Sequence, residues 1–127
     1  MRLLVDSHVL LWWLDGASRL SPTATDAMAS GTNELLVSTA SVWELSIKQS
    51  VGKLRVSADL HEHALRQGFS ELPVTGVHAS AVRALPFHHR DPFDRLLIAQ
   101  TRVEGLTLVT ADRAMSAYDV PILPAGA

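Results

Sequence analysis

Four carboxylates in this chain stand at positions from which they could act together. Asp6 follows the apolar run Arg2–Val5, and Asp112 falls two residues past a second such run, Thr107–Thr110. Glu44 is expected in the first turn of a helix that follows the run Glu34–Ser38. Asp94 is expected in the first turn of a helix that Asp91 caps and Pro92 opens, where the missing N–H of proline costs nothing. Each acid has an ordinary structural role open to it. Asp6 and Asp112 could be N-caps, Ser41 and Glu44 have the spacing of a capping box, and Asp94 could complement a helix dipole. Their conjunction argues for more. The chain has 13 acids, and these four fall where one topology would bring them to a single mouth. Carboxylates held that close repel one another and have raised pKa values unless a cation neutralises them. Oxygen donors at this density suit Mg²⁺ or Mn²⁺, which keep several waters and pair with phosphate. The set therefore favours an acidic metal site over four unrelated caps.

Other chemistries find little support. Zero cysteines exclude a thiolate zinc site, a thiol nucleophile and a disulfide framework. His61 and His63 are two apart, His88 and His89 are adjacent, and no His-x-x-x-His pair exists, which argues against a histidine zinc site. No glycine-rich phosphate loop or Gly-x-Ser-x-Gly elbow is present. A net charge of −2 gives no general attraction to nucleic acid, so a polyanion must be gripped by a local patch or through metal ions. Arg95, beside Asp94, has two readings. It is either a solvated surface residue or a group at the acidic mouth whose planar fork holds a carboxylate or a phosphate.

The elements that must position these residues can be read in order. A chain of 127 residues with 47% hydrophobic content fits one domain, residues 1–127, with ample material for a core. The apolar stretch His8–Leu14 reads as a buried helix, with Trp12 and Trp13 in the core or at a subunit contact. Ser21 and Pro22 open a weak helix to Ser30, and Ala40 to Val51 form another, closed by Gly52. Ser57 to Gly68 reads as amphipathic, with Leu60, Ala64 and Leu65 inward. A short strand is expected at Leu72–Thr75, a helix at Val77–Leu85, and the Asp91 helix runs to Glu104 before Gly105. A short helix from about Asp112 to Tyr118 precedes a strand at Val120–Leu123, which Pro121 would confine to an edge. Strands thus alternate with helices. That pattern predicts an α/β fold, a mostly parallel sheet of four to five strands sandwiched by helices. In such sheets ligands bind beyond the carboxyl ends of the strands, where all four acids fall. No apolar run approaches the roughly 18 residues needed to span a bilayer, and a cytoplasmic protein is expected.

Four stretches together resemble the PIN domain, and within it the VapC-like toxin ribonucleases of type II toxin–antitoxin pairs. They are Leu4–Trp12, Ser41–Lys48, His89–Gln100 and Leu108–Asp112, and the resemblance covers essentially the whole chain. The Asp-Pro-Phe-Asp-Arg block of Asp91–Arg95, taken with Trp43-Glu44, is the specific part. By this similarity Asp6, Glu44, Asp94 and Asp112 correspond to the acidic quartet that binds Mg²⁺ or Mn²⁺. Thr110 matches the hydroxyl position beside the last acid, and Ser7 the small polar residue after the first. Asp91 and Arg95 belong to a subgroup pattern. Met115 stands where an aromatic is common, a departure expected to affect packing. The resemblance implies hydrolysis of RNA by a metal-activated water, leaving 5′-phosphate and 3′-hydroxyl ends. It also implies a homodimer and inhibition by a co-expressed antitoxin, often Phd-like for this pattern.

Two other classes are compatible with an α/β chain of this length. A phosphoacceptor receiver domain needs an acidic pair at the first strand and a lysine after the last, but Asp6 is single and no lysine lies beyond Lys53. A non-catalytic PIN-like binding module would have no need of all four acids.

Overall fold

The computed structural model describes residues 1–126; Ala127, the last residue of the expected domain, lies outside the described residues. Five strands are formed: β1 (Arg2–Val5), β2 (Glu34–Ser38), β3 (Ser70–Leu72), β4 (Thr107–Thr110) and β5 (Ile122–Pro124). Between them run α1 (Ser7–Leu14), α2 (Pro22–Ala29), α3 (Thr39–Ser50), α4 (Leu60–Arg66), α5 (Gly76–Ala81) and α6 (Pro92–Glu104). The strands pair in parallel in the order β3-β2-β1-β4-β5. Parallel strands are covered on both faces, which is why these runs are apolar throughout rather than alternating. Their side chains still alternate in direction. Leu3, Val5, Leu35, Val37 and Val109 pack on one face with residues of α1, α2 and α4. Leu4, Leu36 and Leu108 pack on the other, against Leu97 and Ile98 of α6. Met115, in place of the common aromatic, is buried on this second face.

The chain runs outward from β1 through β2 to β3, then returns to the other side of β1 for β4 and β5. Strand order therefore reverses between β1 and β4. The segments that follow these two strands, α1 and the 3₁₀ turn Arg113–Ala117, pack on opposite faces of the sheet and open a crevice at the strands' carboxyl ends. Asp6 and Asp112 stand at that crevice.

Several elements differ from the sequence expectation for local reasons. β3 lies at Ser70–Leu72 rather than Leu72–Thr75, because Pro73 has no N–H to give a ladder. α4 starts at Leu60, not Ser57, since the Asp59 side chain accepts the Glu62 N–H and caps the helix there. Leu60 and Ala64 are buried as expected, but Leu65 is on the open side, 42% exposed. α5 stops at Ala81 and tightens into a 3₁₀ turn, Val82–Ala84. A second 3₁₀ turn, Arg113–Ala117, replaces the short helix expected after Asp112. The last strand begins after Pro121 and is an edge strand, as that proline required. Trp12 and Trp13 are half-buried against the core.

Candidate active site

Asp6 joins the ends of the two central strands. As N-cap of α1 its Oδ1 accepts the Val9 N–H at 2.8 Å. Its other oxygen accepts the Thr110 hydroxyl at the end of β4. Thr110 Oγ1 in turn accepts the Asp112 N–H at 3.1 Å, so the hydroxyl proton is free to go to Asp6. The Asp6 carboxyl is buried, and burial is the main force pushing it above the usual carboxylate range. The bonds from Thr110 and Val9 oppose that rise, and the charge of Asp112 adds to it. Asp112 itself is exposed and caps the following 3₁₀ turn through Ala114 N–H at 2.9 Å. The capping reading of Asp6 and Asp112 thus holds; both Asp6 oxygens accept a bond, and Asp112 uses only Oδ1 as a cap.

Glu44 reaches the site by a different route from the one expected. α3 is capped by Ser38, whose hydroxyl accepts the Ala40 N–H at 3.0 Å, so the helix starts before Ser41. Ser41 and Glu44 therefore form no capping box, and Glu44 lies in the second turn rather than the first. Its Oε1 accepts the Ser7 hydroxyl at 2.8 Å, which puts Ser7 to work aiming it. Its Oε2 lies 3.5 Å from Lys48 Nζ, one helical turn on. This lysine was readable from the i,i+4 spacing and was overlooked in the sequence.

Asp94 occupies the first turn of α6, and Asp91 starts that helix by accepting the Phe93 and Asp94 N–H groups at 2.9 and 3.1 Å. Burial pushes the Asp94 carboxyl up to about 7, with the charges of Asp91, Asp112 and Glu44 adding and His89 opposing. One ligand atom each from His89, Asp94 and Asp112 lie within 4.8 Å of one another. His89 Nε2 is 3.5 Å from Asp94 Oδ2. In sequence His89 stands out only beside His88; its place at the site, five residues before Asp94, comes from the fold.

Arg95 is not at the acidic mouth. Adjacent helical residues differ by about 100° in direction, and this step turns Arg95 under α6 to the second face of the sheet. There it is 7% exposed. Nη1 donates to Pro86 O at 2.9 Å and to the Tyr118 hydroxyl at 3.0 Å, Nη2 donates to Val82 O at 3.3 Å, and the guanidinium lies 4.6 Å from the Phe87 ring centre. Both earlier readings, solvated bystander and phosphate holder, give way to that of a buried clamp on the 82–86 loop.

Asp6, Glu44, Asp94 and Asp112 therefore share one electrostatic neighbourhood, through the couplings of Asp94 to Asp112 and Glu44 and of Asp6 to Asp112. Among the described residues, Lys48 is the one lysine or arginine within 4.0 Å of any of them. An oxygen-rich cluster with two carboxyls pushed upward and one lysine facing it fits a hard divalent cation such as Mg²⁺ or Mn²⁺.

Comparison with known proteins identifies the family to which this fold belongs. The sequence profile of the PIN domain matches residues 3–121. The chain is 33% identical over 125 residues to ribonuclease VapC22 of Mycobacterium tuberculosis, across 93% of this chain and 92% of that one. Its fold is similar to that in VapBC2 of Rickettsia felis bound to a DNA fragment from their promoter, with a TM-score of 0.75, 11% identity, and 98% and 99% of the two chains covered. It is similar also to FitAcB from Neisseria gonorrhoeae, with a TM-score of 0.63, 20% identity, and 95% and 96% covered. With nearly its whole length matched by that profile and a five-stranded parallel sheet of the same fold, the chain belongs to the PIN-domain family.

Proposed function

We propose that the protein is a metal-dependent endoribonuclease acting as the toxin of a type II toxin–antitoxin pair. One observation carries the reading: Asp94 and Asp112 bring ligand oxygens within 4.8 Å of one another, Asp6 and Glu44 are electrostatically coupled to them, and a bound cation would relieve the burial and charge that push Asp6 and Asp94 upward. The ribonuclease name of the 33% identical relative and the toxin–antitoxin complexes among the structural neighbours support it. Asp6, Glu44, Asp94 and Asp112 would hold Mg²⁺, with Mn²⁺ able to substitute. When bound, such an ion lowers the pKa of a coordinated water and neutralises charge on a scissile phosphate. The chain's own groups prepare for this. Thr110 and the Val9 N–H hold Asp6 in one orientation, and Ser7 aims Glu44. With its carboxyl pushed up to about 7, Asp94 would hold a cation only in its deprotonated form, so binding there would be coupled to pH.

The RNA path is supported by a groove of about 590 Å³ whose lining includes Arg19, Lys48 and Lys53 beside Leu11, Trp12 and Leu54. Lys48 joins this groove to the acids through Glu44. A local basic patch of this kind can grip phosphates on a chain of net charge −2. Trp43 and Ile47 of α3 and Val51 at its end form an exposed apolar stripe, which supports a protein partner; a second copy in a homodimer and a cognate antitoxin, Phd-like by the resemblance of the sequence, are the partners proposed. Among the described residues no helix is long and apolar enough to cross a membrane, and the site is read as acting on RNA in the cytoplasm. The test is to induce the chain without an antitoxin and map the RNA ends that appear. New 5′-phosphate and 3′-hydroxyl ends that vanish in Asp112→Asn are expected. Intact RNA, or ends unchanged by that substitution, would overturn the reading.

A further inference from the structure

The polar side chains behind Asp94 are linked. Arg95 Nη1 donates to the Tyr118 hydroxyl oxygen at 3.0 Å, and the backbone N–H of His89 donates to the same oxygen at 3.4 Å. A phenol oxygen has two lone pairs and one proton. With both lone pairs engaged, the proton has His89 Nδ1, 3.2 Å away, as its partner. Nδ1 then accepts, and the ring proton sits on Nε2. That N–H is buried, has no hydrogen-bond partner, and lies 3.5 Å from Asp94 Oδ2. The imidazole is also packed against the Tyr118 ring, centre to centre 5.4 Å, so its orientation is held.

We propose that Arg95, Tyr118 and His89 form a positioning relay that presents His89 Nε2–H to Asp94, and that His89 is not a ligand of the ion. The inference rests on the metal reading above and deepens it. An imidazole binds a divalent ion only through an unprotonated nitrogen, and the nitrogen facing this cluster carries the proton. A donor 3.5 Å from a carboxylate needs a shift of a few tenths of an ångström to close a hydrogen bond, and such contacts tighten when a site is loaded. With one Asp94 oxygen held, the other would be left for the cation. Outer groups that orient a metal-binding carboxylate in this way are worth roughly 10- to 100-fold in affinity. The molecule uses the same device for structure at His78. There the Thr75 N–H donates to Nδ1 at 3.0 Å and the other ring nitrogen meets Glu104 Oε2 at 2.7 Å. The relay also gives a use to Arg95, which lies beside the acids in sequence yet turns away from them.

The tautomer is read directly by long-range ¹H–¹⁵N correlation of the histidine rings in the metal-free protein, at about pH 8 where unperturbed imidazoles are neutral. His89 is expected as Nε2–H in the wild type, and as a mixture or as Nδ1–H in Tyr118→Phe. Adding Mg²⁺ should leave the Nε2 proton in place. Calorimetric Mn²⁺ affinity should fall about 10-fold in both Tyr118→Phe and His89→Ala. The double variant should lose no more than either single one. Tyr118→Phe leaves Arg95 one acceptor short; should it fail to fold, His89→Ala carries the affinity test, because His89 is only half-buried. An Nδ1–H wild type, loss of the Nε2 proton on adding Mg²⁺, or unchanged Mn²⁺ affinity in His89→Ala would overturn the relay. A wild type that binds no Mn²⁺ would instead overturn the metal reading, and the metal-free tautomer would still decide whether the relay exists.

Discussion

Asp94→Asn isolates the cost of burying a carboxylate beside other acids at this crevice. The Asp94 carboxyl stands at about 7 in the folded chain against 3.8 for the unfolded one. At about 1.36 kcal/mol per pKa unit that gap amounts to roughly 4 kcal/mol. The side chain is 22% exposed, and screening by water reduces the figure, taken at about half, to ~2 kcal/mol. The sign follows from where the proton binds more tightly. A raised carboxyl holds its proton better in the folded state, so its contribution is fully present below pH 3.8 and is lost as pH rises through about 7. Asparagine has no charge to form, so the variant keeps that stability. In EDTA the variant should melt with the wild type near pH 4. At pH 8 it should melt higher by about 6–10 °C, the shift that ~2 kcal/mol produces in a chain of this size. Saturating Mg²⁺ should narrow the gap at pH 8, because the ion relieves the wild type and finds one ligand fewer in the variant. The assay is thermal unfolding by circular dichroism across pH. A variant no more stable than wild type at pH 8 in EDTA, or a gap of the same size at pH 4, would refute the argument that burial and neighbouring acids raise Asp94.

RNA cleavage should require Mg²⁺ or Mn²⁺ and fail with Ca²⁺ alone, whose loose coordination positions a water poorly; full turnover in excess EDTA would sink the mechanism. Asp6→Asn should lose Mn²⁺ binding and cleavage with little change in melting temperature. One amide oxygen cannot serve both the Val9 N–H and the Thr110 hydroxyl, and that loss offsets the gain from a missing charge. Loss of activity through unfolding would return Asp6 to a capping role alone. Arg95→Ala should destabilise by about 2–4 kcal/mol in urea unfolding, because it empties a buried site and removes the hydrogen bonds to Pro86 O, Val82 O and the Tyr118 hydroxyl; a cost within about 0.5 kcal/mol would mean an ordinary surface residue. Arg19→Ala with Lys53→Ala should raise KM for RNA, leave kcat nearly unchanged and flatten the salt dependence, and an unaltered salt slope would place the RNA elsewhere.

Sequence alone determined whatever is encoded within about a turn of chain. The runs Glu34–Ser38 and Thr107–Thr110 are strands with those bounds, and Asp91-Pro92 opens a helix that Gly105 ends in the left-handed conformation at φ 66°. Alternation of strand and helix then dictated parallel pairing, and parallel pairing placed Asp6 and Asp112 at one edge without any knowledge of contacts. What only the tertiary structure decided is the rotation of each helix about its own axis and the partners that meet across long separations. A capping box at Ser41 and a cap at Ser38 have similar local appeal, and packing of α3 on the sheet selected the second. Arg95 beside Asp94 looked like a second functional group, yet one step of about 100° carries it off the face of α6 that bears Asp94 and into a buried position. Thr110 and Asp6 are 104 residues apart, and Tyr118 and His89 are 29 apart. No local pattern relates them, because hydrogen bonds between distant segments arise only when the sheet order brings those segments together.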